Sequence, residues 1–258
     1  MKTSDNNGSA KSRVYRELKH MIIWGEIPQG APLREVPLAE KLKVSRTLIH
    51  EALVQLIRDG LAVSAPRRGT FVRSYTLDDI CQLYELREVL EVYSLRKGIY
   101  TFSIGAINHL RSCCENSLSM EKRLPEIKTP EQITAFIHEG FNTDMGFHIQ
   151  IITGSNNAFI KRVSGDLNLI GNIISIGLNV IPEELHMQQM AENLQRSFNE
   201  HSAIVDAIEK HDADLACALL SRHLRTGCRN ILRALGGPEN NTTTDFSGDI
   251  LDTLDKLL

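Results

Sequence analysis

The sequence predicts a mainly α-helical protein: an N-terminal winged helix-turn-helix joined to a C-terminal antiparallel, all-helical bundle. Apolar residues recur at helical spacing along most of the 258-residue chain. Strand-prone runs are confined to residues 61–74, where Leu61–Ala65 and Thr70–Ser74 flank a Pro-Arg-Arg-Gly turn and read as a hairpin. Aromatic residues make up only 5% of the chain, so Leu, Ile and Ala carry the apolar content, which favours helices.

Taken in order, residues 1–10 are polar and are expected to be disordered. Val14, Leu18, Met21 and Ile22 share one helical face between Ser12 and Trp24. Gly25 to Pro32 holds two Pro and two Gly and breaks the pattern. Pro37 suits the first position of a short helix ending at Lys43, because its missing N–H would be unpaired there. Ser45 is the expected N-cap of a helix over Arg46–Asp59, and Gly60 its C′ residue. Thr76 and Asp79 form a capping box that opens a helix reaching about Tyr100. Further helices are predicted over 104–122, 130–153, 157–180, 188–211 and 212–235, with Asp212 capping the last. These boundaries give a winged-helix head (11–74), a helical body (75–235) and a linker with tail (236–258), in which Ile250–Leu258 could form a short helix.

Charge divides along the same line. Residues 1–74 hold 13 Lys+Arg against 7 Asp+Glu, and the remainder 16 against 25, within a net charge of −3. A basic head on an acidic body suits a polyanion-binding module attached to something that must not bind polyanions. The five cysteines are odd in number and lack C-x-x-C spacing, which argues for free thiols over disulfides or a thiolate zinc site. No apolar signal core opens the chain, and the most apolar stretch, Leu169–Ile181, is interrupted by Asn172, Gly177 and Asn179. The expectation is a cytoplasmic protein with no membrane partner.

In the helix from Arg46, the residues Ile49, Ala52, Leu53 and Leu56 form the inward stripe, leaving Arg46, Thr47 and His50 outward in its first turns. Recognition helices place such residues against base edges in the major groove. An arginine there can bond guanine bidentately. Arg67 and Arg68 at the hairpin tip can reach flanking phosphates or the minor groove, and Gly69 allows close backbone approach. The segments G-x-I-P-x-G-x-x-L (Gly25–Leu33), L-A-E-K-L-x-V-S-R-T (Leu38–Thr47), E-A-L-x-x-L (Glu51–Leu56), D-G-L (Asp59–Leu61) and R-G-T-F-V (Arg68–Val72) resemble the GntR family of winged-helix regulators. The resemblance implies Ser45, Arg46, Thr47, His50, Arg67, Arg68 and Gly69 at double-stranded operator DNA. One departure stands out: the family's usual Pro-Val-Arg is Leu48-Ile49-His50 here, so a histidine replaces its second arginine.

In the body, Asp144 and His148 are four apart on one helix face, a spacing that by itself describes a surface pair more often than a ligand pair. His201 and His223 follow on later helices. One carboxylate and three imidazoles converging in a bundle would suit a divalent transition metal. D-x-x-F-H (Asp144–His148), Asn157, E-H-x-x-I-V-x-A-I (Glu200–Ile208) and His223-Leu224 resemble the FCD effector domain of the FadR subgroup. That resemblance implies Asp144, His148, His201 and His223 as ligands to Zn, with Ni, Mn or Fe as alternatives. It also places Arg87 at a position that often faces an effector, although a salt bridge explains that residue equally well. Asn157 is implied beside the effector or as a helix cap, and His138 and His211 match no ligand position and read as surface residues.

The function expected is a metabolite-responsive transcriptional regulator, more a repressor than an activator, acting as a homodimer and sensing a small carboxylate beside the metal. The rivals are a metal-dependent hydrolase and a regulator for which the metal itself is the signal.

Overall fold

The computed structural model describes residues 4–165 and 183–235. Helix α1 (Ser4–Ile23) starts earlier than its periodicity suggests, and residues 4–10 are helical, not disordered. Once Val14 and Leu18 are anchored with no exposed surface, extending the helix backward adds a hydrogen bond per residue without a new nucleus. Helix α2 (Glu35–Leu42) opens two residues before Pro37. Proline is tolerated there because its position is still among the first four, whose N–H groups have no intrahelical acceptor.

Helix α3 (Arg46–Arg58) has the predicted cap, with Ser45 Oγ accepting from Leu48 N at 3.4 Å. Its end is a Schellman motif: Leu61 N bonds Leu56 O at 2.9 Å and Gly60 N bonds Ile57 O at 3.1 Å. Gly60 adopts the φ of 73° that this motif requires and that a side chain would strain. Leu56 and Leu61 then meet in the core with Leu18, Ile22, Ile49 and Val72. Strands β1 (Ala62–Ala65) and β2 (Gly69–Val72) pair antiparallel with Ala62 opposite Val72, forming the wing. Truncating one of these buried leucines would cost about 2–5 kcal/mol.

The body begins at α4 (Leu77–Gly98), where Thr76 and Asp79 make the reciprocal capping box. Helices α5 (Ile104–Arg123), α6 (Pro130–Gly154), α7 (described over 158–165), α8 (Glu183–Glu209) and α9 (Ala213–Ala234) follow. The predicted helix over 157–180 and the tail helix over 250–258 fall wholly or partly outside the described residues. Helix α4 packs on α9 and α6, while α5 packs on α8 and α6. At the α4–α6 crossing a Cβ on Gly98 would lie 2.5 Å from Gly154 O, so only glycine permits that approach. Leu95, Phe147, Ile151, Ile204, Ile208 and Leu220 fill the centre. All five cysteines are free. Among the described residues no helix is long and apolar enough to cross a membrane.

Head and body meet where Trp24, just after α1, packs against His138 of α6 with ring centroids 3.7 Å apart and planes tilted by 41°. His138 is therefore a junction residue and not the surface residue predicted for it. Its burial there, with His20 nearby, lowers its pKa. His211 is exposed, as expected, and stacks loosely on Tyr100.

Candidate nucleic-acid interface and metal centre

Burial of Ile49, Ala52, Leu53 and Leu56 turns the opposite face of α3 outward. Ser45, Arg46, Thr47 and His50 are all exposed there, and Arg67, Arg68 and Gly69 are exposed at the wing tip. Arg67 takes a φ of 61° and Gly69 a φ of 99°, which folds the turn tightly and projects both arginines away from the core. Ser45 is committed locally, since its hydroxyl caps α3.

Sequence reasoning missed Glu35, at the start of α2. Its Oε1 accepts from His50 Nδ1 at 2.9 Å, and its Oε2 lies 3.5 Å from Arg46 Nη2. The hydrogen bond from His50 is the main reason its carboxyl pKa is lowered. Pairing across a helix-turn-helix depends on how α2 and α3 cross, which no local spacing reveals.

In the body, α6 supplies Asp144 and His148, α8 supplies His201 and α9 supplies His223. These four residues bring one ligand atom each to within 4.8 Å of one another. His223 Nε2 lies 3.1 Å from His201 Nε2 and 3.3 Å from His148 Nε2. Asp144 carboxylate oxygens are 3.8 and 3.7 Å from the His148 and His201 Nε2 atoms. A tetrahedron with metal–ligand bonds of about 2.1 Å has edges of roughly 3.4 Å, so the spacing fits.

The outer nitrogens are held too. His148 Nδ1 donates to Glu91 Oε2 at 2.6 Å and His223 Nδ1 donates to Glu200 Oε2 at 2.7 Å, while His201 Nδ1 faces Ser197 Oγ at 3.3 Å. A carboxylate partner fixes the proton on Nδ1 and directs the Nε2 lone pair inward. Three imidazole Nε2 atoms and a carboxylate converging at this spacing are a donor set that a divalent ion takes, so the chemistry fits one. Burial, then the neighbouring imidazoles, hold His201 well below its ordinary pKa and therefore neutral. Its ring lies flat on Phe147, with centroids 3.8 Å apart and planes within 6°.

Arg87 reaches this centre through Glu91. Its Nε donates to Glu91 Oε1 at 2.9 Å, so one carboxylate holds both the guanidinium and a candidate ligand. Burial opposes ionisation of Glu91, but the His148 ring and the Arg87 guanidinium, both hydrogen-bonded to it, outweigh that and hold the pKa down to about 2. Among the described residues Arg87 Nη2 is buried with no hydrogen-bond partner. The salt-bridge alternative offered for Arg87 is thus present, with one nitrogen in an ion pair and another left without a hydrogen bond. Asn157 resolves the other way: its Oδ1 accepts from Phe159 N and Ile160 N, capping the next helix, so that oxygen is not available to an effector.

Glu91 and Glu200 also escaped the sequence reading. Glu91 stands four residues after Arg87, a spacing that does signal a pair. Glu200 precedes His201 in sequence but serves His223 on another helix, and only packing reveals that.

Residues 10–72 match the gntR family of bacterial regulatory proteins and residues 82–226 match the FCD domain. The chain is 26% identical over 230 residues to the uncharacterised HTH-type transcriptional regulator YdhC of Bacillus subtilis, covering 88% of this chain and 94% of that one. It is also 26% identical over 203 residues to a probable D-xylose utilization operon transcriptional repressor of Paenarthrobacter nicotinovorans, covering 79% and 80% respectively. A GntR transcriptional regulator of Rhodococcus sp. RHA1 shares the fold with a TM-score of 0.69 at 22% identity, over 88% of this chain and 99% of that one. These families are DNA-binding transcriptional regulators, which removes the hydrolase reading. The chain belongs to the GntR family of transcriptional regulators and carries an FCD domain.

Proposed function

We propose that this regulator is a metabolite-responsive repressor, a cytoplasmic homodimer whose two heads read a pseudo-palindromic operator. In each head, Arg46, Thr47 and His50 face base edges while Arg67, Arg68 and Gly69 contact the flanking backbone. Asp144, His148, His201 and His223 hold a divalent transition ion, zinc being the best match to three imidazoles and one carboxylate. The ion supplies net positive charge and, by expanding beyond its four protein ligands, a coordination position for an oxyanion. A small carboxylate bound beside it shifts the bundle to an arrangement that spaces the heads differently, through its unequal affinity for the two.

The observation that carries this reading is the Nη2 of Arg87, buried with no hydrogen-bond partner among the described residues. A buried donor left unsatisfied costs about 1–3 kcal/mol, more when charged, and a carboxylate oxygen would satisfy it. The test is fluorescence anisotropy of an operator duplex with zinc-loaded protein, titrated with a panel of small mono- and dicarboxylates. At least one acid should release the duplex. Arg87→Lys should raise the acid concentration needed by about tenfold without weakening the duplex complex, because lysine keeps the charge but loses the planar fork. If chelation alone moves the duplex affinity and no carboxylate does, the ion itself is the signal.

A further inference from the structure

The chain has one tryptophan, and it stands between the two halves of the molecule. Trp24 continues the hydrogen-bond ladder of α1, its N donating to His20 O at 2.9 Å. Its indole reaches out of the head to α6, packing on His138 with centroids 3.7 Å apart and edge-on with Phe141, 6.4 Å away at 88°. Both partners lie on the helix that carries two residues of the candidate metal centre. Phe141 and His148 are seven residues apart, so they share one stripe of α6 about 10 Å apart along its axis. Behind Trp24, Leu18 and Ile22 of α1 are buried in one core with Ile49 and Leu56 of α3. The series is contiguous: metal centre, α6, Trp24, α1, reading helix.

We propose that Trp24 couples the two halves: its contact with His138 and Phe141 transmits occupancy of the centre formed by Asp144, His148, His201 and His223 to the reading helix. This role depends on the proposed divalent ion at those four residues. At that centre α6 meets α8 and α9, so filling it with an ion fastens α6 to both of them by metal–ligand bonds. A helix is stiff over two or three turns, and a displacement at His148 arrives at Phe141 and His138. Packed aromatic contacts do not stretch smoothly. A gap of about 0.5–1 Å already forfeits a quarter to a half of the dispersion attraction, so a small shift of α6 is enough to alter the contact.

A second link joins the halves along the chain itself. Arg73 Nη2 pairs with Asp79 Oδ1 at 3.3 Å, and Tyr75 Oη donates to Gly60 O at 3.3 Å. This link leads into α4, which touches the centre one step removed, through Glu91. Being covalent, it persists in every arrangement of the body. The Trp24 contact is not covalent and can differ between two arrangements, which is what a signal between distant sites requires.

Zinc is the probe. Chelator-treated full-length protein is titrated with zinc while Trp24 emission is followed. Anisotropy then gives the affinity for a duplex selected from a random-sequence pool, with and without zinc. In wild type the emission should shift and saturate at one zinc per chain, and zinc should change duplex affinity by about fivefold or more, the lower end of ordinary coupling. H138A keeps the tryptophan and all four ligands; it should bind one zinc with little change in emission and an affinity ratio near one. W24L should lose the ratio in the same way, whereas W24F, which keeps a ring against His138, should retain most of it. R73A cuts the ion pair of the linker and should leave the ratio as in wild type. One bound zinc and retained duplex binding in each variant show that both halves are folded. A wild-type ratio in H138A and W24L, or zinc bound by wild type with neither emission nor affinity responding, would overturn the coupling and leave the metal centre standing. Loss of the ratio in R73A with retention in H138A would overturn it in favour of α4. If elemental analysis finds no zinc on wild type, the metal centre is wrong and the coupling falls with it.

Discussion

In the head, Arg46 and His50 stand 68% and 64% exposed on a helix anchored by aliphatic side chains, whereas in the body Arg87, Glu91 and His148 are 8%, 1% and 1% exposed and hold one another. The head separates folding from function: its core is apolar and its working groups are attached to the outside. The body folds around its working groups. Changes to head residues should therefore alter DNA recognition with little effect on stability, and changes to body residues should affect both.

Glu91→Ala would strain that distinction most. It strips one carboxylate from both Arg87 and His148 and leaves a buried guanidinium uncompensated. Loss of one partner from a buried pair costs about 3–5 kcal/mol, and urea unfolding of metal-free protein should show a deficit of that size. A loss below about 1 kcal/mol would mean that water reaches Arg87 and that the body is less tightly built around its charges. His148→Ala comes next. Elemental analysis should find the metal equivalent missing, and the stabilisation added by metal should vanish, about 2.7 kcal/mol at a hundredfold excess over Kd. A variant that retains a full equivalent would show that the four-residue set is wrong.

Arg46→Ala tests the other half. Operator affinity should fall by about 1–3 kcal/mol if Arg46 contacts a base edge, while the unfolding midpoint moves by no more than the 0.5 kcal/mol usual for exposed positions. A large stability loss would show that the Glu35 pairing contributes to the fold and would blur the contrast between the halves.

The two halves also differ in what the sequence disclosed. Local signals were strong in the head: Ser45, Gly60 and the Pro66–Gly69 turn act within a few residues of themselves, and each took the expected role. The body's caps, Thr76 and Asp212, were readable for the same reason. The convergence of Asp144, His148, His201 and His223 was legible only because a family resemblance supplied the three-dimensional relation that spacing lacks. What stayed hidden were side chains serving distant partners: Glu35 for His50, Glu91 for His148, Glu200 for His223 and Trp24 for His138. Each pairing is set by how separate segments pack together, and no periodicity along one of them encodes it.

Ser45 gives the smallest expected effect and a sharp boundary between fold and recognition, because it belongs to both. Its hydroxyl caps α3 while the residue lies exposed at the start of the outward face of that helix. Ser45→Ala should cost about 1 kcal/mol of stability, typical for a lost cap. Ser45→Asp and Ser45→Asn should each restore it, since both side chains accept the same backbone N–H. They should part company on DNA: aspartate brings a negative charge toward the phosphates, asparagine does not. Equal stability with operator binding lost only in the aspartate variant would assign the serine a place at the DNA in addition to its cap. Equal binding by both would confine it to folding and move the edge of the interface to Arg46.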